Sequence, residues 1–137
     1  FEEAMTEAGL PIEETLVEHG ELTERSGYET GSDLLTRDDP PSAIVACNDL
    51  MALGVTSAAQ GLGLAVGRDV AVTGFDDVSL AAHSHPPLTT VGQPIHDIGR
   101  RICEMLIHVL RGETLEERHV ILEPQLIVRE SCGAAGQ

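Results

Sequence analysis

Two apolar runs, residues 43–47 and 70–75, stop abruptly at the polar pairs Asn48-Asp49 and Asp76-Asp77, and a helical pattern follows each. A short run with no polar interruption is the signature of a parallel strand buried on both faces. The pattern therefore predicts an α/β fold built around two strand-turn-helix units. Neighbouring parallel strands point their carboxyl ends to one edge of the sheet, where ligands of such folds bind. Asn48 and Asp76 are accordingly the first candidates for a binding site. The plainer alternative is that Asn48 closes a tight turn and Asp76 caps a helix.

The other segments are read around these two units. Phe1, Ala4, Met5 and Ala8 recur at helical spacing until Gly9 and Pro11 stop them, as the last part of a helix that begins before residue 1. The β-branched residues around Thr15 to Glu18 predict a first strand. Ser26-Gly27-Tyr28-Glu29 has capping-box spacing and predicts a helix to about Arg37, broken by Asp38-Asp39-Pro40-Pro41. Asp49 is placed to cap the next helix, whose apolar residues Leu50, Met51, Leu53, Val55 and Ala58 cover more than one face. A helix that apolar needs two packing partners, one of them the sheet.

Gly61 and Gly63 end that helix, a turn follows at Gly67-Arg68-Asp69, and Asp77 is expected to cap a short helix through Leu80 and Ala82. His83 to Pro87 reads as loop and Leu88 to Val91 as a brief extended segment. Pro94 is favourable as the first residue of the clearest amphipathic helix, in which Ile95, Ile98, Ile102, Met105, Leu106 and Val109 keep one stripe. Residues 119–122 and 125–128 read as two strand pieces, and the tail from Gly133 is expected to be disordered.

Composition then narrows the function. A chain of 137 residues, 42% hydrophobic and without a long apolar run, suits a soluble globular domain with a real core, and no membrane span or export signal is visible. The formal charge is −15, from eight arginines, no lysine and 23 acidic residues, so the surface field repels a phosphate backbone. This segment is not expected to bind DNA by itself. Cys47, Cys103 and Cys132 have no metal spacing; an odd count fits a reducing, cytoplasmic compartment, and buried thiols are the default reading. With two phenylalanines and one tyrosine, few flat surfaces are available to stack a ring.

No catalytic, metal or cofactor site is expected. His83-Ser84-His85 lacks the further ligands of a zinc site and the glycines of a nucleophile elbow. Gly61, Gly63 and Gly67 follow a helix and precede a strand, the reverse of a phosphate loop. Asp76-Asp77 after a strand could hold magnesium in a phosphoryl-transfer domain, but no lysine is present to neutralise phosphate. Asn48 offers a donor and an acceptor, and an ionised Asp76 can accept from two hydroxyls, so the pair suits a sugar or nucleoside.

Three stretches also carry a resemblance. Ala46-Cys47-Asn48-Asp49-Leu50-Met51-Ala52-Leu53-Gly54, then Val72-Thr73-Gly74-Phe75-Asp76-Asp77, then Pro86-Pro87-Leu88-Thr89-Thr90-Val91-Gly92-Gln93 resemble, in order and spacing, successive signatures of the lactose-repressor family of bacterial transcription regulators. The resemblance implies a three-layer, periplasmic-binding-protein-like type I fold, a parallel sheet with helices on both faces, here incomplete. Residues 1–91 would be mainly the carboxyl-terminal lobe of a ligand sensor, and 92–117 a crossover and helix belonging to the amino-terminal lobe. Residues 118–130 would be return strands and 131–137 a tail.

By the same resemblance, Asn48, Asp76, Leu22 and Ile95 match the family's ligand contacts, while its anchoring arginine falls just before residue 1. A homodimer is implied through Leu50, Leu53 and the stretch containing His83, Ser84 and His85. The second subunit would then be the other partner of the apolar helix. The implied function is the effector-binding and dimerisation part of a cytoplasmic regulator, with a sugar-like effector and with DNA reached only through a headpiece absent from this chain. The rival on the same fold is a periplasmic sugar-binding protein of a transporter.

Overall fold

The two apolar runs pair in parallel: β1 (Ala43–Val45) lies beside β2 (Ala71–Thr73), with Ala43 opposite Ala71 and Val45 opposite Thr73. The computed structural model describes residues 1–115 and 117–134. The ladder runs on past both strands, for the amide of Ala46 donates to the Thr73 carbonyl and that of Asp49 to the Phe75 carbonyl, each at 2.9 Å. On the other side of β2 lies β3 (Thr90–Gly92), parallel to it through bridges at Thr73 with Thr89 and Asp76 with Gly92. Antiparallel to β3 runs β4 (Gln125–Ile127), so the order across the sheet is β1-β2-β3-β4. Of the two strand pieces expected near the end, only the second forms; 119–122 is irregular.

Helix α2 (Glu24–Leu35) packs against α3 (Asp49–Gly61), and α3 in turn packs on β2. The helices meet backbone to backbone because glycines face the contact: a Cβ on Gly27 would lie 2.2 Å from the Met51 carbonyl oxygen, and one on Gly54 would lie 2.1 Å from that of Glu24. Within this chain, the second partner of the apolar helix is α2. Leu34, Ile44, Leu53, Val55, Val72 and Leu88 belong to the core between these elements. Burial of each large apolar side chain there stabilises the fold by about 1.5–3 kcal/mol.

Local chemistry corrects several boundaries. Helix α2 is capped by Thr23, whose hydroxyl accepts from the Ser26 amide at 3.2 Å, while the Ser26 hydroxyl accepts from the Glu21 amide. The helix therefore starts two residues before the expected cap. The cap of α3 is Asn48, not Asp49. Helix α4 (Ser79–His83) begins after Val78 with no side-chain cap, because the Asp77 carboxylate is turned to Arg129. The expected first strand near Thr15 is a single 3-10 turn, Glu14–Leu16, following α1 (Glu2–Glu7). With no neighbouring strand to pair with, its β-branched residues stay exposed.

Helix α5 (Ile95–Leu110) follows β3 directly and none of its residues is buried. Its stripe is open, with Ile102 59% and Leu106 54% exposed. Ser131 is buried, accepts from the Thr89 amide at 2.8 Å and donates to the Val72 carbonyl at 2.6 Å, and Gly133 packs on Gly67. The rest of the expected tail, residues 135–137, lies outside the described residues.

Candidate functional site

The register carries Asn48 and Asp76 to equivalent places on adjacent strands. Val45 opposite Thr73 carries both chains toward the same edge, and the bond from the Asp49 amide to the Phe75 carbonyl keeps them together there. Both residues are half-buried at the carboxyl edge of the parallel pair.

Asn48 leaves β1 in extended conformation and turns the chain into α3. Its Oδ1 accepts from the Met51 amide at 2.9 Å, satisfying one of the free donors of the first turn. Its Nδ2 donates to the Leu22 carbonyl at 3.4 Å, a long bond that holds the amide next to an exposed leucine side chain. The tight-turn reading of Asn48 is therefore correct for its oxygen.

Asp76 has φ 113°, a conformation that side-chain-bearing residues rarely adopt. Its amide donates to the Val91 carbonyl at 2.9 Å, and its Oδ1 accepts from Gln93 Nε2 at 2.7 Å. Among the described residues Oδ2 has no partner. Asp76 and Gln93 line a cleft of about 360 Å³ with Asp77, Pro94, Ile95, His96 and Asp97. Ile95, 58% exposed, is thus brought beside Asp76. Asn48 and Leu22 do not line that cleft; they form a second polar and apolar pair at the neighbouring strand end. A larger cleft of about 600 Å³ lies at the other end of α2, lined by Thr15, Arg37 and Asp38 among others, away from all four residues.

Three polar residues that sequence reasoning did not assign to the site build this edge. Asp49 is fully buried, with Oδ2 accepting from the Val78 amide at 2.8 Å and Oδ1 accepting from the Thr90 hydroxyl. A Cβ on Gly74 would lie 2.3 Å from that carboxylate, so glycine is needed beside it. Arg129 pairs with Asp77 at 2.7 Å and donates to the Leu88 carbonyl at 2.8 Å, taking Asp77 out of reach of a metal role. Gln93 occupies one oxygen of Asp76. The signal for Asp49 was available: the one charged residue in a largely apolar stretch from residue 43 to 59 has to be hydrogen-bonded where it is buried.

The surface implied for a dimer divides. Leu50 is 41% exposed, whereas Leu53 is 7% exposed and belongs to the core cluster. His83 is exposed and its Nδ1 bonds the Ser79 carbonyl at 2.7 Å; Ser84 donates to the carbonyls of Ala81 and Pro86; the His85 carbonyl accepts from Gln60 Nε2. Two cysteines expected to be buried, Cys47 and Cys103, are exposed, and Cys132 is half-buried. Among the described residues no group of three or more His, Cys, Asp or Glu could hold a metal ion. No helix among them is long and apolar enough to cross a membrane.

Known proteins share this arrangement. The model of the periplasmic binding protein-like domain matches residues 1–132. The chain is 40% identical to the transcriptional regulator CelR of Thermobifida fusca over 131 residues, covering 96% of the chain and 38% of CelR. It is 37% identical to the catabolite control protein A of Priestia megaterium, covering 96% of the chain and 40% of that protein. Among solved structures, a LacI-family regulatory protein from Chloroflexus aggregans superposes with a TM-score of 0.88 at 40% identity, over 94% of this chain and 47% of that one. A complex of CelR with cellobiose gives a TM-score of 0.88 at 40% identity, over 94% of this chain and 39% of that one. The chain thus spans about two-fifths of the length of the curated relatives it matches. The match to the domain model over nearly every residue, the parallel register and the shared edge lead to one conclusion: the chain belongs to the periplasmic binding protein-like domain family, in the branch represented by LacI-family regulators.

Proposed function

We propose that this chain is the effector-binding part of a DNA-binding transcription regulator, and that its effector is a sugar or another polyhydroxylated molecule gripped by Asn48 and Asp76. The observation that supports this most is the parallel pairing of β1 and β2, which ends both strands in half-buried hydrogen-bonding side chains on one edge. An amide donor and a carboxylate oxygen without an internal partner match vicinal hydroxyls. Ile95 and Leu22 supply apolar contact for the sugar faces. Paired with this polar edge, the open stripe of α5 is the face that the remainder of the sensor covers. Ligand held between two lobes then acts on DNA by favouring one lobe arrangement over another.

The regulator works as a cytoplasmic homodimer, with Leu50 and the segment of His83, Ser84 and His85 on the contact surface, and reaches DNA through a separate headpiece. The test is a thermal-shift screen of sugars and nucleosides, cellobiose first, on the full-length gene product and on its Asp76→Ala variant. A sugar or nucleoside that raises the Tm of the parent but not of the variant supports the reading. A panel in which none raises the Tm, or in which Asp76→Ala responds like the parent, refutes it.

A further inference from the structure

We infer that Asp49 is a positioning residue for the binding edge, holding Asp76 in the geometry that presents its carboxylate; the inference rests on the sugar-binding reading of Asp76. Asp49 grips the exit from β2 at both ends: its amide donates to the Phe75 carbonyl, and its carboxylate accepts from the Val78 amide. Between those two anchors lie Asp76 and Asp77, at φ 113° and 55°, backbone that does not hold itself in place. The same carboxylate accepts from Thr90, on the strand whose Val91 carbonyl takes the Asp76 amide and whose continuation supplies Gln93.

One buried group thereby ties together the start of α3, where Asn48 sits, the loop of Asp76, and the crossover to α5. A fully buried carboxylate with only neutral donors is costly to keep. The first turn of α3, with its free amide ends, is where a negative charge is best tolerated. Asn48 and Asp76 touch the ligand; Asp49 acts through them.

The test uses the full-length gene product, with cellobiose as the probe, in the parent, Asp49→Ala, Asp76→Ala and the double variant, together with amide hydrogen exchange over residues 75–78. Asp49→Ala is expected to weaken cellobiose binding by about 10- to 100-fold. It should add little in the Asp76→Ala background, and it should deprotect the amides of Asp76 and Val78 while those of α2 keep their protection. Asp49→Asn, which keeps an acceptor toward Val78, is expected to lose less than Asp49→Ala.

Full additivity of the two alanine losses overturns the inference, as does normal affinity in Asp49→Ala. If cellobiose binds none of the proteins, cellobiose is not the effector; if Asp76→Ala is without effect, it is the sugar-binding reading that falls. Exchange then decides for Asp49, local deprotection supporting its role and unchanged protection overturning it. If Asp49→Ala does not fold, Thr90→Val, which removes one donor to the same carboxylate, is read by the same criteria.

Discussion

Asn48 performs two separable tasks, and substitutions can take them apart. Its oxygen caps α3 through the Met51 amide at 2.9 Å; its nitrogen is held only by the 3.4 Å bond to the Leu22 carbonyl and is the group available to a ligand. Asn48→Ala removes the cap, at a cost of about 1 kcal/mol, a fall of about 2 °C in Tm for a full-length protein two to three times the size of this chain. Asn48→Ser and Asn48→Asp keep an oxygen that can accept from Met51, so their Tm should stay within about 1 °C of the parent. All three lose the amide N–H donor, which the shorter serine hydroxyl does not replace in reach, and a neutral hydrogen bond of about 0.5–1.5 kcal/mol predicts a two- to tenfold loss of sugar affinity in each. The assay is a melt and a calorimetric titration on the same preparations of full-length protein. Stability should fall only for alanine, and affinity for all three. If Asn48→Asp melts like the parent and also binds sugar like the parent, the nitrogen contacts no ligand and Asn48 is a helix cap alone.

Other expectations follow from single contacts. Gly54→Ala forces a methyl onto backbone atoms of α2 at 2.1 and 2.6 Å, so overpacking should cost about 1–3 kcal/mol or more in urea unfolding; a stability equal to the parent would show that α2 and α3 are not in contact as described. Leu50→Asp should shift the full-length protein toward monomer in analytical ultracentrifugation with its Tm little changed, whereas Leu53→Asp should unfold it; a Leu50→Asp protein of unchanged mass removes this surface from the interface. The Asp69 carboxyl is held at about 2, below its ordinary 3.8, first by the Arg68 guanidinium and then by the Ala65 amide. Because the folded value is depressed, its stabilisation is present above the ordinary value and is lost as pH falls through the folded one. Parent and Asp69→Asn should therefore differ in Tm at pH 5 and converge toward pH 2; a difference that grows on acidification would contradict the assignment.

The strands were legible because an apolar run that ends at a polar residue leaves a plain mark, although β1 is buried on one face only, with Val45 64% exposed. The edge that gathers Asn48 and Asp76 followed from strand direction alone. What stayed hidden depended on partners far apart in sequence. Asp49 was read as a cap because its position in the chain is that of a cap, whereas its true partners are Val78 and Thr90, 29 and 41 residues away. Leu53 looked like a free apolar surface because nothing local says that it will join a core cluster with residues as distant in the chain as Leu34 and Leu88. The segment around Thr15 has strand-like residues but no strand to pair with, and propensity yields where tertiary pairing is absent. Ser131 carried no local signal, since its role exists only once β3 and the terminal segment are side by side.

The most direct test of the shared edge is a crystal structure of the full-length protein with a sugar that raises its Tm. The account predicts two hydroxyl oxygens of that sugar within hydrogen-bond distance of the Asp76 carboxylate and the Asn48 amide nitrogen, with the Asn48 oxygen still on Met51. A sugar bound elsewhere, with Asn48 still on Leu22 and Asp76 still on Gln93 alone, would contradict it.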